Sequence, residues 1–276
     1  MRRSFLYLSI FTAVLTAGFL ACNTTDPEAV RPPARFGLDF TNVVGTQPLQ
    51  LGTVAYTNAS GESFTPTNFN YFVSNIRLIR TDGSAWVVPQ DSSYFLIRQT
   101  DPATQKIRLN NVPMGSYKAV SFVLGVDSLR STADISKRTG ALDPAVDHTG
   151  ANGMYWTWNS GYIFMKLEGT SPSAPRDATG RSNFRYHIGY FGGRDTKTIN
   201  NLKTITVPFG TDAVQVDPFR QPTVQIQADV LTIFDGITPI SIRVYPEVMI
   251  SPFSATVAKN YAGMFSYKGM KTTVTD

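Results

Sequence analysis

Two histidines, His148 and His187, and one cysteine, Cys22, are the nitrogen and sulfur ligands this chain offers a metal, besides seven methionines. Imidazole suits copper. Two imidazoles without a usable thiolate make a poor zinc set. A Ser/His/Asp hydrolase would need one of these histidines as base, but neither lies in a nucleophile context and no G-x-S-x-G occurs. Phosphate loops and G-x-G-x-x-G are absent too. His148 follows Asp147 in a loop and reads by itself as a solvated turn residue. His187, in FRYHIGYFGG, has aromatic neighbours on a strand and reads as a packed histidine or as a ligand. The spacing of Asp127, Asp134, Asp143 and Asp147 does not match a calcium loop, so these read as turn residues and caps.

The stretch 153–169, GMYWTWNSGYIFMKLEG, holds Trp156 and Trp158, two of the three tryptophans. As a strand it puts Met154, Trp156 and Trp158 on one face, and Tyr155, Thr157 and Asn159 on the other. Two readings stand side by side. One is an aromatic core layer, since a buried indole removes a large apolar area from water. The other is chemical. An intact indole donates one hydrogen bond and accepts none, so it ligates a metal only after oxidative opening.

The elements that must position these residues are mostly strands. Apolar residues alternate at Phe36, Leu38 and Phe40. The run 68–83 is a long strand closed by Asp82-Gly83, a hairpin signal. Short strands follow between Trp86 and Asn110, then 111–127 after a Pro-Met-Gly turn, 186–191, 202–209 and 222–234. The 27 residues from Asp127 to Gly153 carry no strand pattern, and so long a loop is usually functional or disordered. Helical spacing is confined to 251–265, with Ser251 as N-cap and Pro252 just inside. The expected fold class is all-β, a single antiparallel β-sandwich with a short C-terminal helix. Charged residues are 16% of the chain against 42% hydrophobic. The net charge of +5 is scattered, so nucleic-acid binding is unsupported.

Residues 1–21, MRRSFLYLSIFTAVLTAGFLA, have two arginines, an apolar run and small residues at the end, the layout of a secretory signal too short for a stable span. Cys22 sits at the cleavage point, as in a lipoprotein signal, and a lone cysteine can form no internal disulfide. The alternative is an ordinary signal with a chance cysteine. Residues 22–34 are polar and Pro-rich and read as a flexible tether, leaving 35–276 as one domain. An acylated Cys22 implies a bacterial envelope protein held at a membrane, periplasmic or on the outer membrane.

The runs NYFVSNIRLIRTDGS (70–84), NVPMGSYKAVSFVLGVDS (111–128), TGALDP (139–144), GMYWTWNSGYIFMKLEG (153–169) and YHIGYFGG (186–193) together resemble the MbnP family. The resemblance covers about 36–265, in the family's order, and the W-x-W-N-S-G-Y block is highly specific. It implies an exported β-sandwich protein or lipoprotein that binds copper; with no catalytic motif in the sequence, the chain itself is not expected to be an enzyme. It further implies that Trp156 or Trp158 is converted to kynurenine by a MauG-like di-haem enzyme related to cytochrome c peroxidases. Kynurenine has lone pairs that indole lacks, and would join His148 and His187 as copper ligands. Several relatives have a histidine in the first strand, where this chain has Asn42. The competing reading is a metal-free recognition or structural module of the envelope.

Overall fold

A computed structural model describes residues 34–143, 153–156, 161–194, 196–211 and 213–274. Alternating residues become strands where one face can be buried. In chain order these are β1 (Phe36–Val44), β2 (Gln47–Pro48), β3 (Tyr56–Thr57), β4 (Ser63–Arg80), β5 (Ala85–Val87), β6 (Tyr94–Arg98), β7 (Lys106–Leu109) and β8 (Gly115–Leu124). After a short helix α1 (Ser128–Ser131) come β9 (Ile163–Thr170), β10 (Asn183–Gly189), β11 (Lys203–Pro208), β12 (Val214–Val216) and β13 (Arg220–Asp229). The chain then forms α2 (Leu231–Asp235), β14 (Glu247–Val248), α3 (Ser254–Tyr261) and β15 (Phe265–Val274).

These strands make two sheets. The smaller runs β15-β13-β1-β2, with β7 also on β1. The larger runs β11-β8-β4-β9-β10-β14, with the remaining short strands along β4 and β8. Rings from the two sheets meet edge to face: Phe40 of β1 lies 6.2 Å from Tyr71 of β4 and 6.0 Å from Phe122 of β8. Each such buried ring contributes roughly 2 kcal/mol by leaving water. The all-β class is as read from the sequence, but two pairings, β1–β13 and β10–β14, are parallel.

β4 organises the larger sheet. Its first half pairs with β9 and its second with β8. The change falls between Tyr71 and Val73, and the pairing with β8 is then interrupted by an irregularity after Ser74, where Asn75 takes φ 53°. Asparagine tolerates this left-handed conformation better than most residues. The Asp82-Gly83 hairpin forms as expected, with Gly83 at φ 90° donating to the Arg80 carbonyl.

Three local expectations need correction. The run 222–234 is not one strand; β13 ends at Asp229, whose carboxylate accepts from the Leu231 amide as α2 begins. α3 starts at Ser254, and Ser251 caps the turn before it by accepting from the Phe253 amide. The tryptophan stretch is not a continuous strand from 153. The strand starts at Ile163, and residues 153–156 form a short returning arm held by a Tyr155–Tyr162 bridge and a bond from the Trp156 amide to the Gly161 carbonyl. Gly161, at φ 76°, supplies the turn geometry a side chain resists.

Candidate metal centre

The centre is built on the outward face of β4, β9 and β10. Phe184, Tyr186 and Ile188 fill the core, so Arg185 and His187 project the other way. The register sets Asn70, Lys166 and His187 in one row across the three strands, and residues directly opposite share a face. Glu168, two residues beyond Lys166, lies diagonally from His187. Its Oε1 is 2.6 Å from His187 Nε2, and the two side chains are 18% and 12% exposed. Asn68 Nδ2 donates to Glu168 Oε2 at 3.4 Å, and Asn70 Nδ2 to Asn68 Oδ1 at 2.9 Å. Asn70 Oδ1 is buried with no hydrogen-bond partner among the described residues.

The electrostatics follow from these contacts. Burial pushes the Glu168 carboxyl up, but the hydrogen bond and charge of His187, the Lys166 ammonium and Asn68 outweigh it, and its pKa stays below the ordinary 4.5. An ionised Glu168 only accepts, so His187 Nε2 carries the shared proton. In the neutral imidazole, the form that can ligate a metal, Nδ1 is then the ring nitrogen with a lone pair. Metal-binding histidines commonly have this carboxylate–imidazole arrangement.

Trp156 is 6% exposed and lies over the end of β10. Its ring fills the space a side chain would need at Gly189: a Cβ there would come within 2.5 Å of the indole Cζ3. The Tyr190 ring, 5.8 Å away, flanks it, with Tyr190 at φ 76°. Asn201 pins this kink, donating from Nδ2 to the Gly189 carbonyl and from its amide to that of Tyr190. Gly189 is two residues from His187 along β10, with a register shift between Ile188 and Gly189.

The segment before the arm is not structureless. It contains α1 and two single-turn helices at Ile135–Lys137 and Gly140–Leu142, with Asp127 and Asp134 as side-chain caps. It clamps the arm: Arg138 donates to the Tyr155 hydroxyl at 2.7 Å, and the Tyr162 hydroxyl to the Leu142 carbonyl at 2.6 Å.

The sequence-derived candidates therefore divide. His187 and Trp156 are brought to the same end of β10. His148, Trp158 and Cys22 lie outside the described residues. Asn42 is buried on the core side, accepting from the Tyr71 hydroxyl at 3.0 Å and donating to Gln99 at 2.8 Å. Tyr71 and Asn70 point to opposite faces of β4, so position 42 and His187 lie on opposite sides of the larger sheet. No group of three His, Cys, Asp or Glu side chains among the described residues could hold a metal. His187 bonds a carboxylate rather than a serine or threonine hydroxyl, which gives the hydrolase reading no support. Glu168, Asn68, Asn70 and Lys166 escaped the sequence reading, although Glu168 lies in the quoted MKLEG run.

Comparison with known proteins decides the family. The MbnP family model matches residues 33–250. The chain belongs to the MbnP family. Its fold is also similar to that of MbnP from Methylosinus trichosporium, with a TM-score of 0.50 at 15% identity, covering 76% of this chain and 80% of that one. A search of curated proteins finds no match. The matched MbnP region contains His187, Trp156 and Glu168, so the whole outward face of β4, β9 and β10 is part of the family domain.

Proposed function

We propose that this MbnP-family protein is a copper-binding lipoprotein of the bacterial envelope, held to the membrane through Cys22. In this reading Trp156 or Trp158 is opened to kynurenine by a separate MauG-like di-haem enzyme, and His187 with His148 supplies imidazole nitrogen. The chain itself is not an enzyme. The observation that carries the reading is the Glu168–His187 hydrogen bond on β10, the strand whose end Trp156 packs against, which leaves the neutral imidazole one nitrogen for a metal.

The oxidation balances with peroxide as oxidant. Two peroxides cleave the indole C2–C3 bond, adding two oxygen atoms and leaving two waters. Hydrolysis then releases C2 as formate and leaves an arylamine and a ketone. Copper, when bound, would take nitrogen donors from that arylamine and from imidazole. Glu168 keeps the proton on Nε2, while Asn68 and Asn70 fix the carboxylate.

Peptide mass spectrometry on host-purified protein, reading residues 153–166, tests the modification. A kynurenine mass at either position supports the reading. Two intact tryptophans in copper-limited and copper-replete cells would favour a metal-free recognition module. The burial of Trp156 and the carboxylate partner of His187 are compatible with that second reading, because packing alone satisfies both groups.

A further inference from the structure

We infer that the pole of the domain where the chain enters docks on an anionic phospholipid surface. The inference rests on the lipoprotein reading, which puts a bilayer within reach. Residues 23–34 span at most about 40 Å when fully extended.

The entry point is fixed. The Ala34 carbonyl accepts from the Val112 amide at 3.1 Å, which places the start of the domain against the turn between β7 and β8. Met114, at the tip of that turn, is 53% exposed. Next to it, Gly115 pairs with Val216, which leads into the turn carrying Phe219, 61% exposed. Arg220 follows and pairs with Val274, 69% exposed. Three large apolar side chains thus stand on neighbouring chain segments around the entry point. Single exposed apolar residues need no explanation, but a group at one pole does.

The turns that carry them are already built. The Tyr117 hydroxyl donates to the Pro113 carbonyl at 2.7 Å, and Asp217 accepts from the Phe219 amide at 2.9 Å. The apolar tips are therefore presented rather than packed inward.

The charge around the tips is basic. Arg35 is exposed at the entry, Arg80 lies 5.5 Å over the Tyr117 ring, Lys118 reaches the Thr81 carbonyl, and Arg220 borders Phe219. Among the described residues the nearby carboxylates are Asp82 and Asp217, the latter 3.7 Å from Arg220, which leaves an excess of positive charge from Arg35, Arg80 and Lys118. Apolar tips within a basic ring match the interface of an anionic bilayer.

The test uses the mature chain from residue 22 with Cys22→Ser, so that no acyl chain contributes. It is sedimented with vesicles of phosphatidylethanolamine and phosphatidylglycerol, or of phosphatidylcholine alone. The expected result is binding to the anionic vesicles, weakened by salt and lowered about tenfold in Met114→Asp/Phe219→Asp. Ile237→Asp, an exposed apolar residue beyond α2, should bind as the parent does. Circular dichroism checks that each variant is folded. Failure of the parent to sediment with anionic vesicles, or an equal loss in Ile237→Asp, overturns the inference. Palmitate labelling of Cys22 in the host reads the anchor separately, and absence of label would overturn the lipoprotein reading alone.

Discussion

Glu168 and His187 share a hydrogen bond of 2.6 Å between neighbouring antiparallel strands, on the face of the larger sheet that points away from the core. Neither residue is directly opposite the other, so the pair depends on β9 and β10 keeping their register.

Replacing Glu168 with Gln separates the carboxylate's charge from its shape. The amide oxygen still accepts from Nε2, but the negative charge that makes the imidazole a better donor is lost. Copper affinity should fall by about 10- to 100-fold, read by competition titration on host-matured protein. An unchanged affinity would remove Glu168 from the centre.

The same substitution has a pH signature. The folded Glu168 pKa lies below the ordinary 4.5, so its ionised form adds stability above that value. This stability is lost as pH falls through the folded pKa. Urea midpoints measured from neutral pH down to about 3 should decline less steeply for Glu168→Gln than for the parent near and below the ordinary carboxylate range.

Gly189→Ala drives a methyl into the Trp156 ring and into the Tyr162 carbonyl, 2.6 Å from the Cβ position. The expected cost is about 1–3 kcal/mol. The indole should move outward, giving a red-shifted tryptophan emission. A parent-like spectrum and stability would show that Trp156 does not rest there.

Asn42→His places an imidazole where several relatives are expected to carry one. Asn42 faces the core and is engaged by Tyr71 and Gln99. The variant should lose about 1–3 kcal/mol from the broken bonds and leave copper stoichiometry at the parent value. A gain of one copper per chain would show that position 42 serves a separate site.

Glu62 is a buried carboxylate that accepts from Asn58, the Ser241 hydroxyl and the amides of Ile242 and Arg243. It ties the 236–246 loop to the start of β4. Glu62→Ala leaves these donors without their acceptor and should destabilise the fold by about 3 kcal/mol, measured by thermal unfolding.

The strands were legible because period two is a local signal, and Phe36, Leu38 and Phe40 face the core as the pattern requires. The turn at Asp82-Gly83 was legible for the same reason. The tryptophan arm was not, because Trp156 continues an alternation that the Gly161 turn breaks in space. α2 was hidden by the largely apolar stretch 230–234, which suits a strand or a buried helix equally. For the site, rarity pointed to His187, and the aromatic block pointed to Trp156. Glu168 and Asn70 needed the register between three strands, which no single segment carries. Parallel pairing of β1 with β13 is likewise non-local.

That pairing also fixes an order of events. Residues 37–43 find their partners at 223–229, almost the whole domain later. β1 cannot be enclosed until the ribosome has made β13, so the smaller sheet must wait for the end of synthesis. Contacts this distant slow folding, because a long loop must close before any pairing energy returns. A late seam of this kind keeps the nascent chain open, which is the condition a polypeptide needs if it is to be threaded across a membrane before it folds.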